Sequence, residues 1–257
     1  MKAVDARSLF PTLLLANARM ALRSRGVIFA VFASTLQIAV FGLLPDLDFK
    51  LGSEQINFFD FALPGMAIFL VVYQLQDITV AVAAGYRARG ILKRLAVTPV
   101  SPAAVILTQA FTYVWVGLAA AVWVLAIGKM IGGNVVLSAN LLWVLPLMAM
   151  VLLTSLAIAF AIAGLTSNPQ TASNVGTTVT FFLFALTGAM LPIEVLPEPL
   201  PVLVPYAVPH AALIQAIRGI TLTGAGITNY SQQVLLGGAW LLVAFVAAAL
   251  AYRFEEE

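Results

Sequence analysis

Residues 141–165 read LLWVLPLMAMVLLTSLAIAFAIAGL, a run with no charged side chain. At 1.5 Å rise per residue this run makes a helix about 37 Å long, more than the roughly 30 Å of hydrocarbon in a bilayer. A β-barrel span would instead be about ten residues long with strict apolar and polar alternation. The stretch is therefore read as a bilayer-crossing helix, and the rest of the chain repeats its pattern.

Apolar runs of the same kind cover 27–44, 61–84, 103–127, 175–191 and 234–252. Together they predict an all-α membrane protein with six transmembrane helices, formed by one domain over residues 1–257. Composition agrees, since 62% of residues are hydrophobic and 9% charged, whereas a soluble domain carries about 25% charged residues to cover its surface. The chain has no cysteine, so it has neither a disulfide framework nor a thiolate site.

The basic residues orient the spans. Lys2, Arg7, Arg19, Arg23 and Arg25 precede the first run, and the connection after it holds Asp46, Asp48, Glu54 and Asp60 against Lys50 alone. Arg87, Arg89, Lys93 and Arg94 crowd the second connection without an acid. Lys and Arg concentrate on the cytoplasmic side, so both termini are expected in the cytoplasm, with the protein in the inner (plasma) membrane. Small residues near Leu13–Ala18 suit a signal-peptide cleavage site, but Asp5 and Pro11 interrupt the apolar run it would need. The segment is read instead as part of an amphipathic helix.

That helix is expected over 7–25. At 100° per residue Ser8, Thr12, Arg19 and Arg23 fall on one side, while Leu9, Phe10, Leu13, Leu14, Met20 and Ala21 fall on the other. The arrangement suits a helix lying in the cytoplasmic interface, either as a lipid anchor or as a docking surface for a partner. Asn17 sits on the apolar side and breaks the pattern.

Residues 192–226 are apolar but contain Pro192, Pro197, Pro199, Pro201, Pro205 and Pro209. Each interior proline removes a backbone donor and costs about 3 kcal/mol in an ordinary helix. A re-entrant helical element before the last span is the expectation, with a seventh span as its competitor. Irregular backbone at membrane depth must be buried in protein or face water.

Within the expected spans, Asp77 is the only acid and shares a helix face with Tyr73 and Gln74. Such an acid faces protein or a cavity, either as interhelical glue or as part of a transport path. The fifth run aligns Thr177, Thr180, Phe184 and Thr187, with Phe181 beside them. A mixed hydroxyl and aromatic stripe fits a cavity for an amphiphile or ordinary helix packing. His210, the single histidine, has no nearby cysteine or carboxylate pair, so no metal site is expected. Nor are catalytic residues: the chain lacks G-x-S-x-G, H-E-x-x-H and a phosphate-binding G-x-x-x-x-G-K-[ST], since Gly128-Lys129 is followed by Met130.

The connection at 85–102 carries the most specific signal. Gly90, Leu92, Lys93, Arg94 and Leu95, followed by Thr98, Pro99, Val100 and Ser101, resemble the cytoplasmic coupling loop of ABC-2 type transporter permeases. Ile91 stands where that family commonly has threonine, and Tyr86 and Ala88 where it has glutamates. A second region is similar to the family's entry into its outer re-entrant segment: Gly188 and Pro192 to Pro197, with Glu194 between the prolines, and downstream Pro205-Tyr206, Pro209-His210 and Arg218.

The resemblance implies a permease subunit of an ATP-driven exporter. It would form a homodimer with a second permease copy and dock on two copies of a cytoplasmic ABC ATP-binding subunit. ATP and Mg would be bound on that partner, with no cofactor in this chain and no nucleic acid involved. An amphiphilic or hydrophobic substrate would then leave the cytoplasm or inner leaflet. On that reading Arg87, Arg89, Gly90, Leu92, Lys93, Arg94, Leu95, Thr98 and Pro99 form the ATPase-coupling interface, with Arg19 and Arg23 on the interfacial helix. Tyr73, Gln74, Asp77, Thr177, Thr180, Phe181, Phe184 and Thr187 line the substrate path; Pro192, Glu194, Pro205, His210 and Arg218 form an outer gate. A secondary transporter or channel subunit is the alternative, but it would show internal repeats and several intramembrane charges.

Overall fold

The computed structural model describes residues 14–20, 23, 25–43, 48–51, 54–91, 102–166 and 168–252. Residues 7–13 of the expected interfacial helix, and Leu92, Lys93, Arg94, Leu95, Thr98 and Pro99 of the basic loop, lie outside them. Residues 14–20 are helical (α1), followed by α2 (Arg25–Gly42), a hairpin of β1 (Asp48–Leu51) and β2 (Glu54–Asn57), and α3 (Phe58–Ile68). A π-helical turn (Phe69–Tyr73) joins α3 to α4 (Gln74–Ala88), so 58–88 run as one helix. Then come α5 (Pro102–Met130), α6 (Val144–Leu165), α7 (Pro169–Leu186), α8 (Leu200–Ala207), α9 (Ala211–Thr223) and α10 (Ser231–Ala251).

The helical class holds. The hairpin departs from it where only a loop between spans was expected, pairing Asp48 with Asn57 and Leu51 with Glu54.

Among the described residues four helices are long and apolar enough to cross a bilayer, 58–88, 106–130, 139–165 and 227–251, or five if α8 and α9 are taken as one bent span. Two of the six expected crossings fall short of that measure. The apolar part of α2 is Val27–Gly42, about 24 Å of helix. The fifth run, expected at 175–191, is displaced: α7 begins at Pro169 because the Asn168 side chain accepts from the backbone N–H groups of Gln170 and Thr171, with proline at the first helical position. It ends at Leu186, before Gly188 at φ 72°.

The proline-rich stretch is less broken than its composition suggests. Pro201 lies in the first turn of α8, where its missing donor costs nothing, and Pro205 is held inside that helix. The real break is at Val208–His210, where α8 and α9 meet at 97°. Behind it α9 is enclosed, with Ala211–Ile214, Ala216, Ile217, Ile220 and Thr221 all buried. An irregular element at membrane depth needs that enclosure.

The main core joins α9 to α3, the π turn, α5 and α6, with every residue from Phe61 to Ile68 buried. Large apolar side chains on α2, α5 and α10, such as Phe29, Phe32, Trp115, Phe245 and Leu250, are exposed instead. Such a coat exceeds what a water-soluble monomer presents, and lipid is the solvent it fits. Hydroxyls point the other way: Thr79, Thr112, Thr154 and Thr221 are buried and donate to the carbonyl four residues back, so their burial leaves no donor unpaired.

Candidate functional site

Two arginines gather backbone carbonyls at opposite ends of the long helix 58–88. Phe61 and Arg87 are 26 residues apart on it, which is about 39 Å at 1.5 Å per residue. That is close to the roughly 40–45 Å of a bilayer with its headgroup regions.

At the α4 end, Arg87 Nη1 donates to the carbonyls of Ala163 at 2.8 Å and Gly164 at 2.6 Å. These are carbonyls of the last turn of α6, which lack intrahelical donors and carry the negative end of the helix dipole. The guanidinium also lies 5.9 Å from the Tyr252 ring, whose hydroxyl donates to Ala83 O at 3.1 Å. At Gly164 α6 presses on α10 so closely that a Cβ there would overlap the Ala251 backbone. Arg87, expected to face a partner, is thus turned into the bundle, where it ties α4 to α6 and α10. Arg89 is exposed, and Gly90 at φ 61° ends the helix in the left-handed conformation that glycine adopts without strain.

At the α3 end, Arg218 of α9 donates from Nε to Phe61 O at 3.0 Å, and from Nη2 to Gly188 O at 2.6 Å and Ala189 O at 3.1 Å. Its guanidinium carbon sits 3.6 Å over the Phe61 ring. The 188–189 turn is held from its other side by Gly65, whose bare Cα lets the Ala189 carbonyl approach. Of the residues expected to form the gate, Arg218, His210 and Pro192 are drawn into the protein, Pro205 is half-buried and Glu194 is exposed.

Between these ends a polar seam runs along α4. Gln76 Nε2 donates to Thr180 Oγ1 at 3.2 Å, and Thr180 Oγ1 donates to Asp77 Oδ1 at 3.1 Å, joining α4 to α7. One end of the π turn places Tyr73 in the core beside Thr187, with its hydroxyl 3.4 Å from His210 Nδ1. Ser155 Oγ of α6 lies 3.3 Å from Nε2 of the same ring. His210 adopts φ 75°, uncommon for a residue with a Cβ.

The expected path residues therefore divide. Tyr73, Asp77, Thr180 and Thr187 meet at the α4–α7 seam. Thr177 and Phe181, beside Thr180 on α7, are exposed, and Gln74 and Phe184 are half-buried. Gln76 and Ser155 were not singled out from the sequence. The signal was present, since each is a polar residue inside an apolar run, but its partner lies in another segment.

The Thr180 relay supports a direct test. Thr180→Val keeps the shape but removes both links, and should lower the stability of the detergent-purified protein by about 1 kcal/mol, the usual size of a hydrogen bond between membrane helices. Thermal unfolding checks it: an unchanged midpoint would mean that the relay does not hold the helices together.

A family model described as ABC-2 type transporter matches residues 9–222, most of the chain. The chain belongs to that family. It is thus a multi-pass membrane protein and a transporter permease, and the features above belong to an ABC-2 membrane domain. The matched region includes the basic connection, the 188–189 turn and Arg218. A search of curated proteins finds no match to the chain.

Proposed function

We propose that this ABC-2 permease is the membrane half of an ATP-driven exporter. Two copies of the chain, crossing the membrane six times each with both termini in the cytoplasm, dock on two separate ATP-binding subunits that hold ATP and Mg. The cargo is amphiphilic or hydrophobic, in the class of a drug, a lipid or a lipid-linked glycan. The α2 and α7 helices supply the two crossings that length and composition do not count.

The observation that carries this reading is the anchoring of Arg87. The basic connection that follows α4 starts from a helix end bonded to the last turn of α6 and packed against Tyr252 after α10. A push on residues 90–99 is therefore delivered to three helices at once, because packed helices move as rigid bodies rather than deform. Arg89, Lys93 and Arg94 meet the ATPase with their charges, and Leu92 and Leu95 are its apolar contacts.

The exposed side of α7 with Thr177 and Phe181, together with the half-buried Phe184 and Gln74, forms the substrate path; its hydroxyls and rings suit an amphiphile. Tyr73, Asp77, Thr180 and Thr187 hold that helix in place. Pro192, Glu194, Pro205, His210 and Arg218 shape the outer end, and Arg19 and Arg23 lie at the inner surface.

Purification from detergent should bring down a soluble ATPase, and vesicles of the complex should transport only with ATP. Replacing both Leu92 and Arg94 by Ala should cut transport at least tenfold while ATP hydrolysis and membrane insertion persist. Transport driven by an ion gradient without nucleotide, or unaffected by the double substitution, would overturn the proposal.

A further inference from the structure

A groove of ≈ 540 Å³ runs between α1, α2 and α5, outside the seam and both arginine clusters. Its walls are Leu14 and Ala18 of α1, Val27 and Val31 of α2, and the face of α5 from Phe111 to Trp123. Two polar groups in the wall are already paired: Thr112 donates to Thr108 O at 2.7 Å, and Trp123 Nε1 to Thr35 Oγ1 at 3.0 Å. Apart from the Trp115 indole N–H the rest of the wall is apolar, so a hydrocarbon chain fits it.

Asn17 Nδ2 donates to Thr108 Oγ1 at 3.0 Å and pins α1 across the start of α5. Ala18 and Val27 both line the groove, and the chain between them carries Arg19 and Arg23, both exposed. From Phe111 to Trp123 the groove follows thirteen residues of α5, about 18 Å of helix. Half of a bilayer's hydrocarbon is about 15 Å. An apolar channel one leaflet long, with two exposed cations in the chain that leads from α1 to α2, matches the length and charge of one lipid.

We infer that this groove binds an anionic phospholipid of the leaflet next to α1, with an acyl chain along Phe111, Trp115 and Trp123 and the headgroup phosphate at Arg19 and Arg23. The lipid braces α1 against α2 and α5. The site depends on the chain's lying in a membrane, and not on its energy source or direction of transport.

The tryptophans report on it. In full-length protein carrying Trp143→Phe and Trp240→Phe, Trp115 and Trp123 are the remaining two of the four tryptophans. In detergent, phosphatidylglycerol with brominated acyl chains should quench them saturably, at a half-saturating concentration at least fivefold below that of phosphatidylcholine with the same chains. Arg19→Gln with Arg23→Gln should erase that preference while quenching persists. Ala119→Phe, which places a ring in the groove, should reduce the maximum for both lipids. Equal half-saturation by the two lipids, or a preference that survives loss of both arginines, overturns the inference. Absence of quenching with the two tryptophans shielded in a dimer assigns the groove to a second copy and overturns it as well. If Ala119→Phe does not yield monodisperse protein, the arginine variant alone decides.

Discussion

Gly65→Ala should leave little folded protein. The Cβ it adds would occupy the space of the Ala189 carbonyl, whose oxygen also accepts from Arg218. The obstacle is backbone on both sides, so no side-chain rotation relieves it. Overpacking a core costs about 1–3 kcal/mol when side chains can yield; here the 188–189 turn must move and give up its guanidinium bonds, each worth about 1.5–3 kcal/mol. A loss of at least about 3 kcal/mol is expected, read as a steep fall in monodisperse yield and in the thermal midpoint. Gly85→Ala is the control. A Cβ there meets nothing within 4 Å, and replacing a mid-helix glycine gains about 0.5–1 kcal/mol. Equal behaviour of the two variants would refute the close approach of α3 to the 188–189 turn.

Arg218→Ala attacks the same junction from the other side. Three carbonyls, of Phe61, Gly188 and Ala189, lose a charged donor, and the Phe61 ring loses the cation stacked on it. The expected cost is about 3–5 kcal/mol, since buried acceptors left without donors pay their desolvation in full. Arg218→Lys separates charge from shape. A lysine ammonium keeps the cation but not the planar fork that reaches carbonyls on two elements at once, so it should recover less than half of the loss. Thermal unfolding of the three proteins in one detergent measures this, and full recovery by lysine would mean that the charge alone matters.

Much of the fold was legible because a bilayer imposes a length. Runs at 61–84, 103–127, 141–165 and 234–252 each match a helix in the structure, with ends within a few residues. The fifth run was misplaced by about six residues because hydrophobicity alone was followed. Asn168-Pro169 is a helix start written in the sequence, but it lies in a polar stretch that an apolar window skips. The proline count rightly signalled a broken element before the last span, yet overstated the breakage, because a proline in a first turn does no harm.

The site was legible only as a set of residue types. Arg87 looked like a surface cation and proved to be a cap on the end of α6. Asn17 looked like a flaw in an amphipathic pattern and proved to be the pin that holds α1 to Thr108 of α5. His210, without a chemical partner nearby in sequence, lies between Tyr73 and Ser155, 137 and 55 residues away.

By itself the sequence determined that this protein lives in a membrane, where its helices run and which connection is basic, because crossing about 30 Å of hydrocarbon demands a local run of apolar residues. Only the tertiary structure decided which polar groups meet. Hydrogen bonds act at about 3 Å, and the carbonyls that Arg87 and Arg218 collect come within that reach only after α6, α9 and the 188–189 turn have packed.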